Sequence, residues 1–347
     1  MKLEHPAIVT FEVTYSCNLS CNMCQTRWYQ KDDRFKSRLS KEEIISTAKR
    51  LNKEEGARFF RFLGAEPLLH PDIIEIIIEV SKIGETWLTT NGTLITDKLA
   101  EDIVTSGLSN LCVSYHSPNE HYRGISPEKI TKLTVAGIQA IDNAKKSFDN
   151  NLKVSVTNVI TPSNYKELFK VEKLFKEYDV SVGFFPVHSM RPFMNDNKWN
   201  GQKAEYLGDD RLEPKELSFW QNFIFRTQLQ FLKSRRKRLV LRPVYFVLSQ
   251  MLFIYRDLQA LFIYKPCTKP YERICIRADG KITSCEFLRT IEMGSIQDDK
   301  LWDTPLRQEL IDITQKGKLS ICRQCNRKSL YRPDMWPVKF IQYLKRK

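Results

Sequence analysis

The start of the 347-residue chain lacks the basic, apolar and small-residue succession of a signal peptide, and its first apolar strand runs straight into cysteines. No long recognition domain is expected ahead of the chemistry, and the protein is expected in the cytoplasm. Internal repeats and low-complexity tracts are missing as well, which sets aside repeat arrays. There is no unbroken apolar run long enough for a membrane span. The best candidate, Val244 to Tyr264, is interrupted by Gln250, Arg256 and Asp257, so it reads as a helix packed on the domain or lying on a membrane surface. Disulfides are scarce in a reducing compartment, so the nine cysteines point to metal or redox work.

With 42% hydrophobic and 28% charged residues, the chain has enough apolar material for one large α/β domain with a small one appended. The 55 Lys+Arg against 41 Asp+Glu give a net charge of +14, which suits nucleic acid, an anionic membrane surface, an acidic substrate or simply a basic solvated surface. Cations are concentrated at Lys233 to Arg238 and at Lys345 to Lys347. Residues 7 to 186 alternate between strand and helix patterns, with candidate strands at Ile8 to Thr14, Phe59 to Leu63, Thr86 to Thr89, Leu111 to Tyr115, Val154 to Ile160 and Val180 to Pro186. Ser40 with Glu43 forms a capping box, and Ser163 with Lys166 and Glu167 is read as another helix start. Six βα units emerge, with functional residues expected at the C-terminal ends of the strands. A further helix is expected near Lys215 to Leu232, and Asp279-Gly280 signals a hairpin.

Cys17-Asn18-Leu19-Ser20-Cys21-Asn22-Met23-Cys24 puts three thiolates on one loop after the first strand. Three ligands around a four-iron cube leave one iron open to bind a substrate or cofactor, whereas ordinary electron-transfer clusters take four cysteines. A structural zinc site would need a fourth ligand, and nothing near Cys24 supplies one. This CxxxCxxC loop resembles the radical S-adenosylmethionine (SAM) superfamily, in which the amino and carboxylate groups of SAM chelate the open iron. The resemblance implies a partial (β/α)6 TIM-like barrel and reductive cleavage of SAM to a 5′-deoxyadenosyl radical. It also implies an external electron donor of flavodoxin or ferredoxin-like type. Met23 stands where the family usually has an aromatic residue, and it is apolar enough to pack against adenine.

Other segments extend the likeness. Gly64-Ala65-Glu66-Pro67 resembles the family's GGEP segment, whose backbone and Glu hold the SAM ammonium; Ala65 replaces the second glycine, which is tolerable at negative φ. Thr90-Asn91-Gly92 resembles the segment that shapes the floor under SAM, and Leu68-Leu69-His70-Pro71 is also familiar from the family. In the fourth strand, period-two alternation puts Cys112, Ser114 and His116 on one face and Leu111, Val113 and Tyr115 on the other. The apolar set should meet the helices and the polar set should line the barrel. Ser114 then corresponds to a ribose-side residue, and Arg123 resembles the arginine that pairs with the SAM carboxylate. His116 is either a substrate-side acid, base or hydrogen-bond donor, or a loop histidine satisfied by a neighbour. Asn158 either touches the ribose or closes a barrel layer.

The order Cys267, Asp279-Gly280, Cys285, Met293-Gly294-Ser295-Ile296 and Cys322-Arg323-Gln324-Cys325 resembles the auxiliary-cluster extension called SPASM or, in its shorter form, twitch. The resemblance implies one auxiliary 4Fe-4S cluster on Cys267, Cys285, Cys322 and Cys325, acting as an electron acceptor or relay; a four-cysteine zinc ribbon is the competing structure. Cys275 and Cys112 are left over as small buried hydrophobes, unless the inward-facing Cys112 returns a hydrogen atom to a substrate radical. The domains are expected at 1–188 for the barrel, 189–265 for an insertion with the apolar segment, and 266–347 for a small cysteine-rich hairpin and helix domain with a basic tail. The expected activity is hydrogen abstraction from a small-molecule, sugar or lipid-linked substrate, with the apolar 244–264 segment either packed on the core or in peripheral contact with the inner membrane surface. A peptide-modifying enzyme, an RNA methyltransferase and a zinc-ribbon nucleic-acid binder are the alternatives.

Overall fold

The computed structural model describes residues 8–21, 23–24, 37–116, 125–187, 198–199, 202–203, 217–234, 251, 272–284 and 291–316. Arg123, Cys267, Cys285, Cys322 and Cys325 lie outside these residues, as do the basic run 235–238, the C-terminal tail and all of 244–264 except Met251.

Six parallel strands form the body of one open sheet: β1 (Ile8–Glu12), β2 (Phe59–Leu63), β3 (Glu85–Thr90), β4 (Asn110–Ser114), β5 (Lys153–Ile160) and β6 (Ser181–Pro186). They alternate with helices α1 (Lys41–Glu55), α2 (Ile73–Ser81), α3 (Asp97–Thr105), α4 (Pro127–Ser147) and α5 (Leu168–Leu174). The alternating apolar positions of the strands, among them Val9, Phe11, Phe60, Phe62, Leu88, Leu111, Val113 and Val156, are buried beneath Ile44, Ala48, Leu51, Ile76, Ile77 and Ile103 of the helices. Each such side chain stabilises the layer by about 1.5–3 kcal/mol. The sheet of the described residues is not closed, as in a partial barrel.

The helix ends follow their side chains. Ser40 accepts from the backbone N–H of Glu43 while the Glu43 carboxylate accepts from the N–H of Ser40, so the expected capping box opens α1, and Gly56 closes it at φ 66°. The start of α5 differs from expectation. It begins at Leu168, because Asn164 takes the preceding turn: its Oδ1 accepts from Thr161 N–H, and its Nδ2 donates to the carbonyls of Val159 and His116. Ser163 pairs with the Thr161 hydroxyl at 2.6 Å and does not cap the helix.

After β6 come the short ribbon β7 (Lys198–Trp199) and β8 (Gln202–Lys203), then α6 (Phe219–Ser234), whose Phe225 is buried against Ile160 and Leu168. The C-terminal part adds β9 (Arg273–Ile276), β10 (Lys281–Thr283), β11 (Gly294–Ser295) and α7 (Pro305–Gln315). Gly280, at φ +78°, makes the turn between β9 and β10 at the Asp279-Gly280 signal. This hairpin does not form a sheet of its own. β9 pairs in parallel with β1, Ile8 opposite Arg273, so one nine-stranded sheet runs β11-β10-β9-β1-β2-β3-β4-β5-β6. Among the described residues no helix is long and apolar enough to cross a membrane.

Candidate active site

The cysteine loop is sewn to its neighbour by main-chain bonds. Val13 donates to Leu63 O at 2.8 Å, Ala65 to Thr14 O at 2.9 Å and Glu66 to Ser16 O at 2.9 Å. The approach is close enough that a Cβ on Gly64 would lie 2.5 Å from the Thr14 carbonyl oxygen, so glycine is required there. Ala65 has no such constraint and does not adopt positive φ. The far side of the loop is clamped by a bridge between Thr14 and Arg38 and by Leu39 N–H donating to Val13 O. His70 completes the clamp: its Nδ1 accepts from Asp72 N–H, and its Nε2 therefore donates to Leu39 O at 2.8 Å. Its partner Leu39 lies 31 residues away, beyond the reach of local sequence reasoning.

Cys17, Cys21 and Cys24 are all partly accessible. Cys21 O accepts from Cys24 N–H, and Cys17 Sγ accepts from Leu19 N–H at 3.3 Å, with Asn91 Nδ2 4.0 Å away. Burial pushes the Cys17 thiol up to about 11, with Glu66 and Cys24 adding to the rise and the Leu19 and Asn91 donors opposing it. A thiolate in that position calls for a cation, and N–H donors to sulfur are what tune a cluster. Three cysteine sulfurs on one loop are the donor type that an iron-sulfur cluster takes. The donor set thus fits a multi-iron cluster. Met23 is buried in the same loop.

Glu66 is 1% exposed, and its carboxylate accepts three hydrogen bonds: Oε1 from Leu68 N–H at 3.0 Å and Thr90 Oγ1–H at 2.7 Å, Oε2 from Asn91 N–H at 2.7 Å. Burial raises its pKa and the three donors pull it back. It therefore ties the end of β2 to the end of β3. From there Asn91 Nδ2 donates to Asn18 Oδ1, Asn18 Nδ2 to Thr93 Oγ1, and Thr93 Oγ1 to Asn91 Oδ1. Asn18 and Thr93 complete this ring, and their sequence signal was adjacency to Cys17 and Gly92 alone. The C-terminal ends of the first three strands are thereby held as one unit.

On β4 the alternation falls as expected: Leu111, Val113 and Tyr115 are buried, while Cys112 and Ser114 are partly exposed on the inner wall. Register sets Thr89 beside Cys112 and Cys112 beside Ser155, with Ser114 beside Thr157 one layer higher. Cys112 Sγ and Thr157 Oγ1 are 2.9 Å apart. His116 Nδ1 accepts from Val159 N–H at 3.1 Å, and the surrounding protein lowers its pKa to about 4, so the ring is neutral at pH 7 with its proton on Nε2. Asn158 falls in the helix-facing set of β5 with Val156 and Ile160, and its Nδ2 donates to His116 O at 2.8 Å. Asn164 donates to the same carbonyl.

Residues 11–175 match the family model described as the radical SAM superfamily, and residues 267–326 match the SPASM model, described as an iron-sulfur cluster-binding domain. The chain is 28% identical over 299 residues to a protein named GTP 3′,8-cyclase from Aquifex aeolicus, covering 82% of this chain and 84% of that one. Among solved structures, SuiB of Streptococcus suis bound to precursor peptide SuiA superposes with a TM-score of 0.61 at 14% identity, over 93% of this chain and 71% of that one. Native anSMEcpe with bound AdoMet gives 0.57 at 20% identity, over 88% and 83%. These two show a common fold.

Proposed function

The chain belongs to the radical SAM superfamily and carries a SPASM-type C-terminal domain, and on that premise we propose that it takes a hydrogen atom from a carbon of a small-molecule, sugar or lipid-linked substrate. In this reading Cys17, Cys21 and Cys24 hold a 4Fe-4S cluster and leave one corner for SAM. When bound, cluster and SAM supply the reductive carbon–sulfur cleavage that yields a 5′-deoxyadenosyl radical.

The protein's own part is to bind, orient and exclude water. The backbone at Gly64 to Glu66, and the lone-pair site that Glu66 retains after accepting three bonds, receive the SAM ammonium. Arg123 forks to its carboxylate. Met23 packs on adenine, while Asn91 shapes the floor and Ser114 faces the ribose. Neutral His116 presents Nε2–H to the substrate as a hydrogen-bond donor, and Asn158 positions it through its carbonyl. Cys267, Cys285, Cys322 and Cys325 would hold an auxiliary cluster, which would supply an electron acceptor or relay, and a flavodoxin or ferredoxin-like protein would be the external electron donor.

The observation that carries the reading is the joining of the cysteine loop to residues 64–66 and 91–93 at the C-terminal ends of three adjacent strands. The inner wall supports a hydroxylated substrate, since Thr89, Cys112, Ser114, Ser155 and Thr157 offer small donors and acceptors. The likeness to a GTP 3′,8-cyclase supports a second reading, a nucleoside triphosphate attacked at its ribose. Anaerobic reconstitution, chemical reduction and quantitation of 5′-deoxyadenosine test both. About eight irons with matching sulfide are expected for two cubes, falling by about half in the Cys17→Ala, Cys21→Ala, Cys24→Ala variant, with 5′-deoxyadenosine abolished. Cleavage persisting in that variant refutes the assignment. Stimulation by GTP but by no glycosylated substrate selects the second reading.

A further inference from the structure

Helix α6 is apolar on two faces. Phe225, with Leu229 and Leu232 beside it, packs on Ile160 and Leu168 and binds the helix to the barrel. At about 100° per residue, Trp220, Ile224 and Phe231 fall within roughly 40° of one another, well over a quarter turn from that buried face. They are 70%, 37% and 49% exposed. A helix that only covered a barrel would be polar there. The stripe continues onto α5, where the Phe231 ring meets Phe169 edge-on at 5.8 Å. Lys166, Lys170 and Lys173, all exposed, lie around Phe169, Lys170 pairing with Glu167 at 2.8 Å and Glu172 being the other nearby acid on α5.

Lysine and arginine outnumber the acids along this stretch of sequence. From Leu217 to Arg256 the sequence contains no Asp or Glu and eight Lys and Arg, five of them between Lys233 and Arg238. An aromatic and aliphatic stripe along a helix, with cations at its margin, is the composition of a helix lying in a membrane interface. Tryptophan is favoured at that depth, and basic residues beside it are drawn to acidic headgroups. A nucleic acid would satisfy the cations but leave Ile224 and the continuous apolar stripe without a role, since strand binding uses separated aromatic platforms.

We propose that the exposed face of α6, extended by Phe169 and the lysines of α5, docks the enzyme on an anionic lipid surface. This surface is separate from the barrel interior, so the proposal stands or falls independently of the substrate. The test is sedimentation of the full-length, iron-loaded protein with phosphatidylglycerol-containing vesicles and with phosphatidylcholine vesicles, at low and high salt. Binding is expected only to the anionic vesicles and is lost at high salt. Trp220→Ser with Phe231→Ser should weaken it at least about tenfold with iron content and far-UV spectrum unchanged, and Lys166→Glu with Lys170→Glu and Lys173→Glu should do the same. The proposal is overturned if the wild type ignores anionic vesicles at low salt, if both variants bind as the wild type does, or if single-stranded RNA is retained in preference to vesicles.

Discussion

Replacing Glu66 by glutamine exchanges one acceptor oxygen for a donor NH2 in a site that contains three donors already. In one amide orientation the new NH2 faces Asn91 N–H; in the other it faces Leu68 N–H, so a buried main-chain donor loses its partner either way. The Thr90 hydroxyl can turn aside, but the two amides cannot. An unmet buried donor costs about 1–3 kcal/mol, which sets the expected loss for Glu66→Gln. Glu66→Ala removes the acceptors of both amides and should cost about 2–6 kcal/mol, less if a water fills the space. Against a total stability of about 5–15 kcal/mol these are large effects. Equilibrium urea denaturation of wild type and variants, followed by far-UV circular dichroism, measures them. The denaturation midpoint should fall in the order wild type, Gln, Ala. If Glu66→Ala lies within about 0.5 kcal/mol of wild type, the claim that this carboxylate ties β2 to β3 is wrong.

The remaining expectations concern His116, Gly64 and Ser40. The folded pKa of His116 is depressed to about 4, so its contribution to stability is present above the unfolded value near 6.5 and is lost as pH falls from there through about 4. The histidine Nε2 and Cε1 resonances should show no protonation step between pH 7 and 5, and a step near neutrality would refute the Val159 contact. Gly64→Ala forces a methyl against the Thr14 carbonyl and should destabilise by about 1–3 kcal/mol and reduce iron loading, whereas Ala65→Gly should leave iron loading intact. Ser40→Ala removes a helix cap and should lower stability by about 1 kcal/mol, visible in thermal unfolding.

Much of the architecture was legible because the physical signals are local. Strands β1 to β6 carry β-branched and aromatic residues at alternate positions, and β2 falls on the expected residues. The capping box at Ser40 needs only two side chains three residues apart. What escaped detection depends on partners distant in sequence. The amide of Asn164 moved the start of α5 by serving the carbonyl of His116, 48 residues earlier. The contacts of Glu66 to Thr90 and Asn91 are not visible in the sequence, because only the folded chain brings the end of β3 beside it. Asn158 is expected inside the barrel, at the ribose or closing a layer; the alternation of β5 and its pairing with β4 put it on the helix side instead. His70 looked like part of a familiar segment and proved to be the clamp on Leu39.

Because β9 lies against β1, the strand that launches the cysteine loop is an interior strand, with β2 on one flank and residues 273–276 on the other. During synthesis the ribosome must release residues 273–276 of the 347 before that second flank can be filled. Until then the incipient iron site borders an unfinished edge, open to mispairing with other chains. A truncated product ending ahead of β9 should therefore aggregate through its own first strand.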